Sequence, residues 1–344
     1  ESKGTGHPDS ICDAVCETCA KALEQFYKKR FNTILHYNID KALLIAGTST
    51  PKFKGGKITN PIKLMIAGRV TDKLGKTTLP IKKLIKDTAT KYLKQFRQAR
   101  FKVIVDVKSA AANLSVISST KRPIANDTSF GCSHYPPSKT EQLVLDIRKH
   151  INSPAFHKRF PAAGPDTKIM AVRQKQKTEL TIAIAFIGKH VKDMGSYISI
   201  KDKITEDLIK KFKVNVSINT LDNVTKDEDS IYLTTSGLSA EMGDDGQVGR
   251  GNRYNSLITP GRPMSIEALS GKNPRHPGRS YQIAAYNIAK DLVKAGAEEA
   301  EVELVTDIGA PLEEPKAVSL KTGKKISKTT AEKLIRKNIR KAIR

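Results

Sequence analysis

The chain has 344 residues, 38% hydrophobic and 28% charged, which supplies a large core and excludes a disordered chain. No apolar run reaches 18 residues, so a membrane-spanning helix is excluded. A net charge of +25 calls for a polyanion, an anionic surface or a phosphorylated substrate, but with no Trp and no RNA-reading motif it does not make a nucleic-acid protein.

In chain order, helical and strand-like stretches alternate. Residues 10–29 carry an amphipathic helical pattern. "ALLIAGTS" and "IKLMIAGRV" read as buried strands, separated by the Lys/Gly loop "PKFKGGKITNP". A basic helix over 81–99 precedes the strand "FKVIVDV", and "TEQLVLDIRKHI" is helical. "TKIMAV" and "ELTIAIAFI" form an expected strand pair, with "VNVSINT" and "SIYLTT" as two further strands. A glycine-rich loop covers 237–262, a helix 279–295 follows, and then the strand "AEVELVTDIG". The tail, 319–344, holds ten Lys/Arg against one acid, Glu332. Leu334, Ile335, Ile339, Ala342 and Ile343 fall on one face of a helix there. We expect it to pack that stripe with its lysines in water, with RNA or membrane contact as the lesser reading. The alternation gives an α/β (α+β) protein with several sheets, and neither an internal repeat nor a linker divides it.

Four cysteines, three of them between positions 12 and 19, do not make a disulfide framework. With no basic-then-apolar leader in "ESKGTG", a reducing cytoplasm is the expected location. Cys12, Cys16 and Cys19 share a helical face with Leu23 and Phe26, which is what a core requires. An iron–sulfur site would instead need three thiolates converging from a loop.

The segment Gly6-His7-Pro8-Asp9-Ser10 differs in kind. Pro8 disfavours helical geometry at His7, and Asp9 or Ser10 can cap the helix, so His7 stands beside a helix N-terminus whose free N–H groups attract anions. Asp9 can cap the helix, hold a cation, or both. "MGDDGQVGRGNR" sets Gly243, Gly246, Gly249 and Gly251 among Asp244, Asp245, Arg250 and Arg253. Its glycine order is not a dinucleotide fingerprint. In "LSGKNPRHPGRS", Asn273 rules out a P-loop, as does Ile266 just upstream where its first Gly would stand, which leaves Lys272, His276 and Arg279 leading into a helix as a polyphosphate cradle.

Five ordered segments, "GHPDSICDAV", "ANDTSFG", "GPDTKIMAV", "GDDGQVGRGNR" with "LITPGRPMSIEALSGKNP", and "IAKDLVKAGAEEAEVELVTDIGAP", span nearly the whole chain. Through them the chain resembles the S-adenosylmethionine synthetases (methionine adenosyltransferases), and in particular the archaeal type. The resemblance implies three interleaved α/β subdomains with pseudo-threefold symmetry, sheets packed inside and helices outside, near 1–115, 116–240 and 241–344. It implies a cytoplasmic homodimer with active sites at the interface. The substrates would be ATP and L-methionine, with Mg2+ as cofactor and K+ as a further cation. Sulfur would attack C5′ of ATP, and the expelled triphosphate would be hydrolysed.

Carried over by position, His7 would stabilise the leaving oxygen and Asp9 would bind Mg2+. Lys168 and Lys272 would hold phosphoryl oxygens, and Arg250 would steer the triphosphate. Asp127 and Asp244 would face nucleoside or methionine, Asp166 would support Lys168, and Asp245, Arg253, His276 and Arg279 would complete the binding set. "SAAANL" at 109–114 and "CSHYPP" at 132–137 depart from the family pattern, and His276 and Gly278 stand where bacterial members carry Lys and Asp. The rivals are a basic RNA-binding protein acting through 319–344, a radical enzyme with a cluster on Cys12, Cys16 and Cys19, and a catalytically degenerate homologue.

Overall fold

Three sheets, each with helices over one face, organise the chain. The computed structural model describes residues 1–111, 120, 122–222, 230–249 and 256–343. In chain order the first elements are β1 (Ser2–Lys3), α1 (Pro8–Phe31), β2 (Tyr37–Ile45), β3 (Thr48–Lys52), β4 (Gly55–Asn60), β5 (Ile62–Val70), β6 (Lys73–Leu74), β7 (Thr77–Thr78), α2 (Ile81–Leu93) and β8 (Phe101–Ser109). Next come β9 (Ser129–Tyr135), α3 (Lys139–Ile151), α4 (Pro154–Arg159), β10 (Ala163–Gln174), β11 (Lys177–Ile187), α5 (Met194–Phe212), β12 (Asn215–Ile218) and β13 (Leu233–Thr234). The last are β14 (Gly246–Gln247), α6 (Pro277–Lys294), β15 (Ala300–Thr306), β16 (Ala317–Thr322) and α7 (Lys328–Ala342).

The first sheet has the order β14-β2-β5-β8, and its core is shared with α1 and α2. The second has the order β1-β10-β11-β12, with β13 also on β11, and packs on α3, α4 and α5. The third, β16-β15-β9, packs on α6 and α7. The connections hand over cyclically. β1 lies in the second sheet, but the helix after it, α1, covers the first. β9 lies in the third sheet while α3 covers the second, and β14 lies in the first while α6 covers the third. Each sheet therefore borrows a strand from a neighbouring unit. This interlocking explains why no linker was visible in the sequence.

α1 starts as the His7-Pro8 turn requires, with Pro8 in its first turn, and ends at Asn32 with φ 52°. Its cysteines are fully buried, and burial pushes all three thiols up, that of Cys19 to about 12. All three lie in the core of the first sheet with Val15 and Leu23 of the same helix, as the apolar stripe requires. In α7, Ala331 and Ile339 are buried, with Leu334, Ile335 and Ala342 against the third core, so the tail's apolar stripe is already covered. No helix among the described residues is long and apolar enough to cross a membrane.

Several boundaries differ from the sequence reading. The expected loop 51–61 contains β4, hairpinned on β3, because the turn at Lys54 and Gly56 (φ 65° and 137°) reverses strands too polar and exposed to show alternation. The helix expected over 81–99 stops at Leu93, and the tail begins as β16. α5 was not anticipated: only Tyr197, Ile204 and Leu208 are buried along its 19 residues, too sparse a stripe to stand out.

Candidate active site

A cleft of about 490 Å³ opens where β1, the start of α1, β10 and residues 243–247 meet, with Lys3, His7, Asp9, Lys168, Asp244 and Asp245 on its walls. β1 and β10 run antiparallel with Lys3 directly opposite Lys168. Like charges facing each other across a ladder repel, so this pair needs negative charge nearby. Lys3 Nζ lies 2.9 Å from Asp9 Oδ2, and Lys168 Nζ lies 3.4 Å from Glu1 Oε2.

His7 caps α1 in extended conformation (φ −62°, ψ 138°), and its Nδ1 accepts the Asp9 N–H at 3.2 Å. The neutral ring must then carry its proton on Nε2, which points toward Asp244 Oδ2 at 3.9 Å. Burial, reinforced by Lys3, pushes His7 down to about 4, so at neutral pH it is an uncharged N–H donor. A Cβ on Gly6 would come within 2.7 Å of the Asp166 nitrogen, so glycine is what lets this turn lie against β10.

Acids crowd along and behind the cleft. Asp166 is buried and accepts from Ser239 N at 2.8 Å and Ser239 Oγ at 2.5 Å. Burial still raises it to about 7, with Asp244 and Asp9 adding to the shift. Asp244 is raised as well, by burial and then by Asp9. Asp9 Oδ1 accepts the Gln247 N–H at 2.9 Å, and Asp245 Oδ1 accepts the Ala46 N–H at 2.7 Å.

A second cluster forms around Lys272, which is only 3% exposed. Its Nζ lies 2.8 Å from Asp40 Oδ2 and 3.1 Å from Glu267 Oε2. Burial would raise Asp40, but Lys272 and then Lys41 outweigh it and hold the carboxyl below its usual range. His276 Nε2 lies 3.2 Å from Asp127 Oδ2, and this bond lowers Asp127. His276 Nδ1 accepts the Gly278 N–H at 3.1 Å, so His276-Pro277 caps α6 in the way His7-Pro8 caps α1. Asp127, Glu267 and His276 each offer a ligand atom within 4.8 Å of the others, a cation-compatible group.

Both places border the outer face of the first sheet. Register sets Leu43 beside Met65 and Met65 beside Ile104 on that face. Leu43 is 43% and Met65 37% exposed, large apolar side chains left without cover. The Lys272 cluster meets β2 at Asp40, and the His7 cleft meets it where Leu43 pairs with Gln247.

The expected site residues thus fall into two groups. His7, Asp9, Lys168, Asp244 and Asp245 share the cleft, and Lys272, His276 and Asp127 share the second cluster. Two expectations are corrected. Asp166 does not back Lys168 but bonds Ser239, because the strand shifts register between Ala163 and Thr167. Arg279 is drawn from the polyphosphate cradle into a bidentate pair with Glu17 at 2.6 and 2.8 Å, which ties α6 to α1. Arg250 and Arg253 lie outside the described residues, as does half of the divergent 109–114 stretch. Lys3, Asp40, Ser239 and Glu267 were missed. Of these, only Asp40 left a signal, an acid interrupting the apolar run of "YNIDKALLI".

A profile of the family described as S-adenosylmethionine synthetase (AdoMet synthetase) matches residues 1–344. A relative from Methanocaldococcus jannaschii, named S-adenosylmethionine synthase, is 42% identical over 343 residues, covering 93% of this chain and 84% of the relative. Proteins of the same name from Methanosphaera stadtmanae and Pyrococcus furiosus are 40% and 39% identical over 341 and 337 residues, with 93% of this chain and 84% of each relative covered.

Proposed function

The chain belongs to the S-adenosylmethionine synthetase family and forms S-adenosylmethionine from ATP and L-methionine, and we propose that it does so at the cleft of His7. A sulfur lone pair forms the S–C5′ bond as the C5′–O bond breaks, and the triphosphate leaves with that electron pair. Water then splits the triphosphate into phosphate and diphosphate. A thioether needs no general base, so the barrier lies in aligning sulfur with carbon and in accommodating charge on the leaving group.

The observation that carries this reading is the cross-strand pair Lys3–Lys168 beside the neutral Nε2–H of His7. Lys3 and Lys168, each held beside a carboxylate, present two cations to a polyphosphate that enters the cleft. His7 then donates to the departing oxygen without the cost of burying an imidazolium. Removing one such donor costs on the order of 3 kcal/mol in a transition state.

Mg2+ fits the cleft, where Asp9 and Asp244 present hard oxygen donors whose mutual repulsion a divalent ion would relieve. When bound, it would neutralise phosphate oxygens. No residue is assigned to K+. The cytoplasm, where ATP and methionine are supplied, is the location we assign.

We place the second half of the site on a partner chain. Lys272 meets β2 at Asp40 and the His7 cleft meets it at Leu43, where the exposed Leu43 and Met65 begin a row that continues to the half-buried Ile104. A twofold pairing of that face would bring each subunit's Lys272 cluster to its partner's cleft. On this reading the three helix-covered sheets are three subdomains, centred on 1–115, 116–240 and 241–344, with β1, β9 and β14 exchanged among them.

Incubation with ATP, L-methionine and Mg2+, followed by mass spectrometry, tests the function. The sulfonium product should form, and His7→Ala should abolish it while leaving the circular dichroism unchanged. A His7→Ala variant with wild-type rates would remove His7 from the reaction.

A further inference from the structure

Asp9, Asp13 and Glu17 follow at four-residue spacing along α1, so their carboxylates stand in one row. That row grips the segment closing the cleft. Asp9 Oδ1 accepts the Gln247 N–H at 2.9 Å, and one turn further Asp13 Oδ1 accepts the Gly249 N–H at 3.0 Å. Another turn on, Glu17 takes both Arg279 nitrogens.

Between the Gln247 and Gly249 amides the Val248 N–H turns away to the Ala42 carbonyl at 3.2 Å, so alternate amides of this segment meet successive turns of α1. The backbones also touch, since a Cβ on Gly246 would stand 2.4 Å from the Pro8 carbonyl carbon. Asp13 is fully buried and does not line the cleft. A buried carboxylate is costly where an apolar side chain would suffice for packing, and this one is aimed at a backbone amide.

We infer that Asp13 is a positioning residue for adenosyl transfer. By holding Gly249, together with Asp9 on Gln247, it fixes the wall that carries Asp244 and Asp245 at its set distance from His7. The inference rests on the His7 cleft being the site of transfer.

The test compares wild type with Asp13→Ala, Asp13→Ser and Asp13→Asn by steady-state kinetics and by hydrogen exchange at the Gly249 amide. Asn retains an acceptor oxygen at the same reach, whereas Ala and Ser do not. Ala should speed Gly249 exchange at least about tenfold and lower kcat about 10- to 100-fold, the scale set by small misplacements of reacting groups. Asn should stay within about threefold of wild type on both measures. If Ala does not fold, Ser decides in its place. A Gly249 amide that exchanges at the wild-type rate in Ala or Ser overturns the inference, as does an unchanged kcat or an Asn variant as impaired as Ala. A wild-type chain that makes no sulfonium product defeats the reading of the site instead, before any variant is needed.

Discussion

His7 and Asp166 are both held far from their usual ionisation, and in opposite senses. Folded His7 titrates near 4 against an ordinary 6.5, so its contribution to stability is complete above about 6.5 and is lost as pH falls toward 4. Folded Asp166 titrates near 7 against an ordinary 3.8, so its contribution is complete below about 4 and is lost as pH rises through 7. Asp166→Asn keeps an oxygen for the Ser239 N–H and removes the ionisation. Between pH 5 and 8 the wild type should therefore lose stability relative to this variant, as measured by urea unfolding at each pH. A wild type that gains on the variant as pH rises would contradict the assignment. His7 and Asp9 were legible because a prolyl turn before a helix is written in adjacent residues. The partner of Asp166 was not, since Ser239 lies 73 positions away and is brought to it by a register shift between Ala163 and Thr167.

Among elements, α1 and α6 mirror each other. Each begins with a His-Pro cap whose Nδ1 accepts the N–H two residues on, and each presents that histidine to a carboxylate, Asp244 or Asp127. The pair Glu17–Arg279 locks the two helices together. Arg279→Lys cannot restore a two-pronged bond, so it should cost about 1–3 kcal/mol of stability while kcat stays near wild type. Urea unfolding alongside kinetics separates the outcomes. A loss of kcat with no loss of stability would return Arg279 to the substrate. Sequence periodicity found α1, α3 and α6, whose apolar faces are dense, and the central strands β5 and β11. It missed α5 and β16, where few side chains are buried, and it also missed β9.

At the scale of the whole molecule, the sites and the topology share one cause. Because β1, β9 and β14 each cross into a neighbouring sheet, residues near 3, 168 and 245 converge in one cleft, while those near 40, 127 and 272 converge in a second cluster. Bulk charge indicated an anionic ligand but not where it sits, and the basic tail, the most conspicuous charged stretch, proved to be a helix packed on the third core. The central claim is that the two groups act on one nucleotide across a subunit boundary. Subunits carrying His7→Ala and subunits carrying Lys272→Ala, each inactive alone, can be mixed, dissociated and reassociated. Half of the resulting dimers should be hybrids with one intact site of two, so sulfonium formation should return to about a quarter of the wild-type rate. Mixtures that stay as inactive as either variant alone would contradict the account.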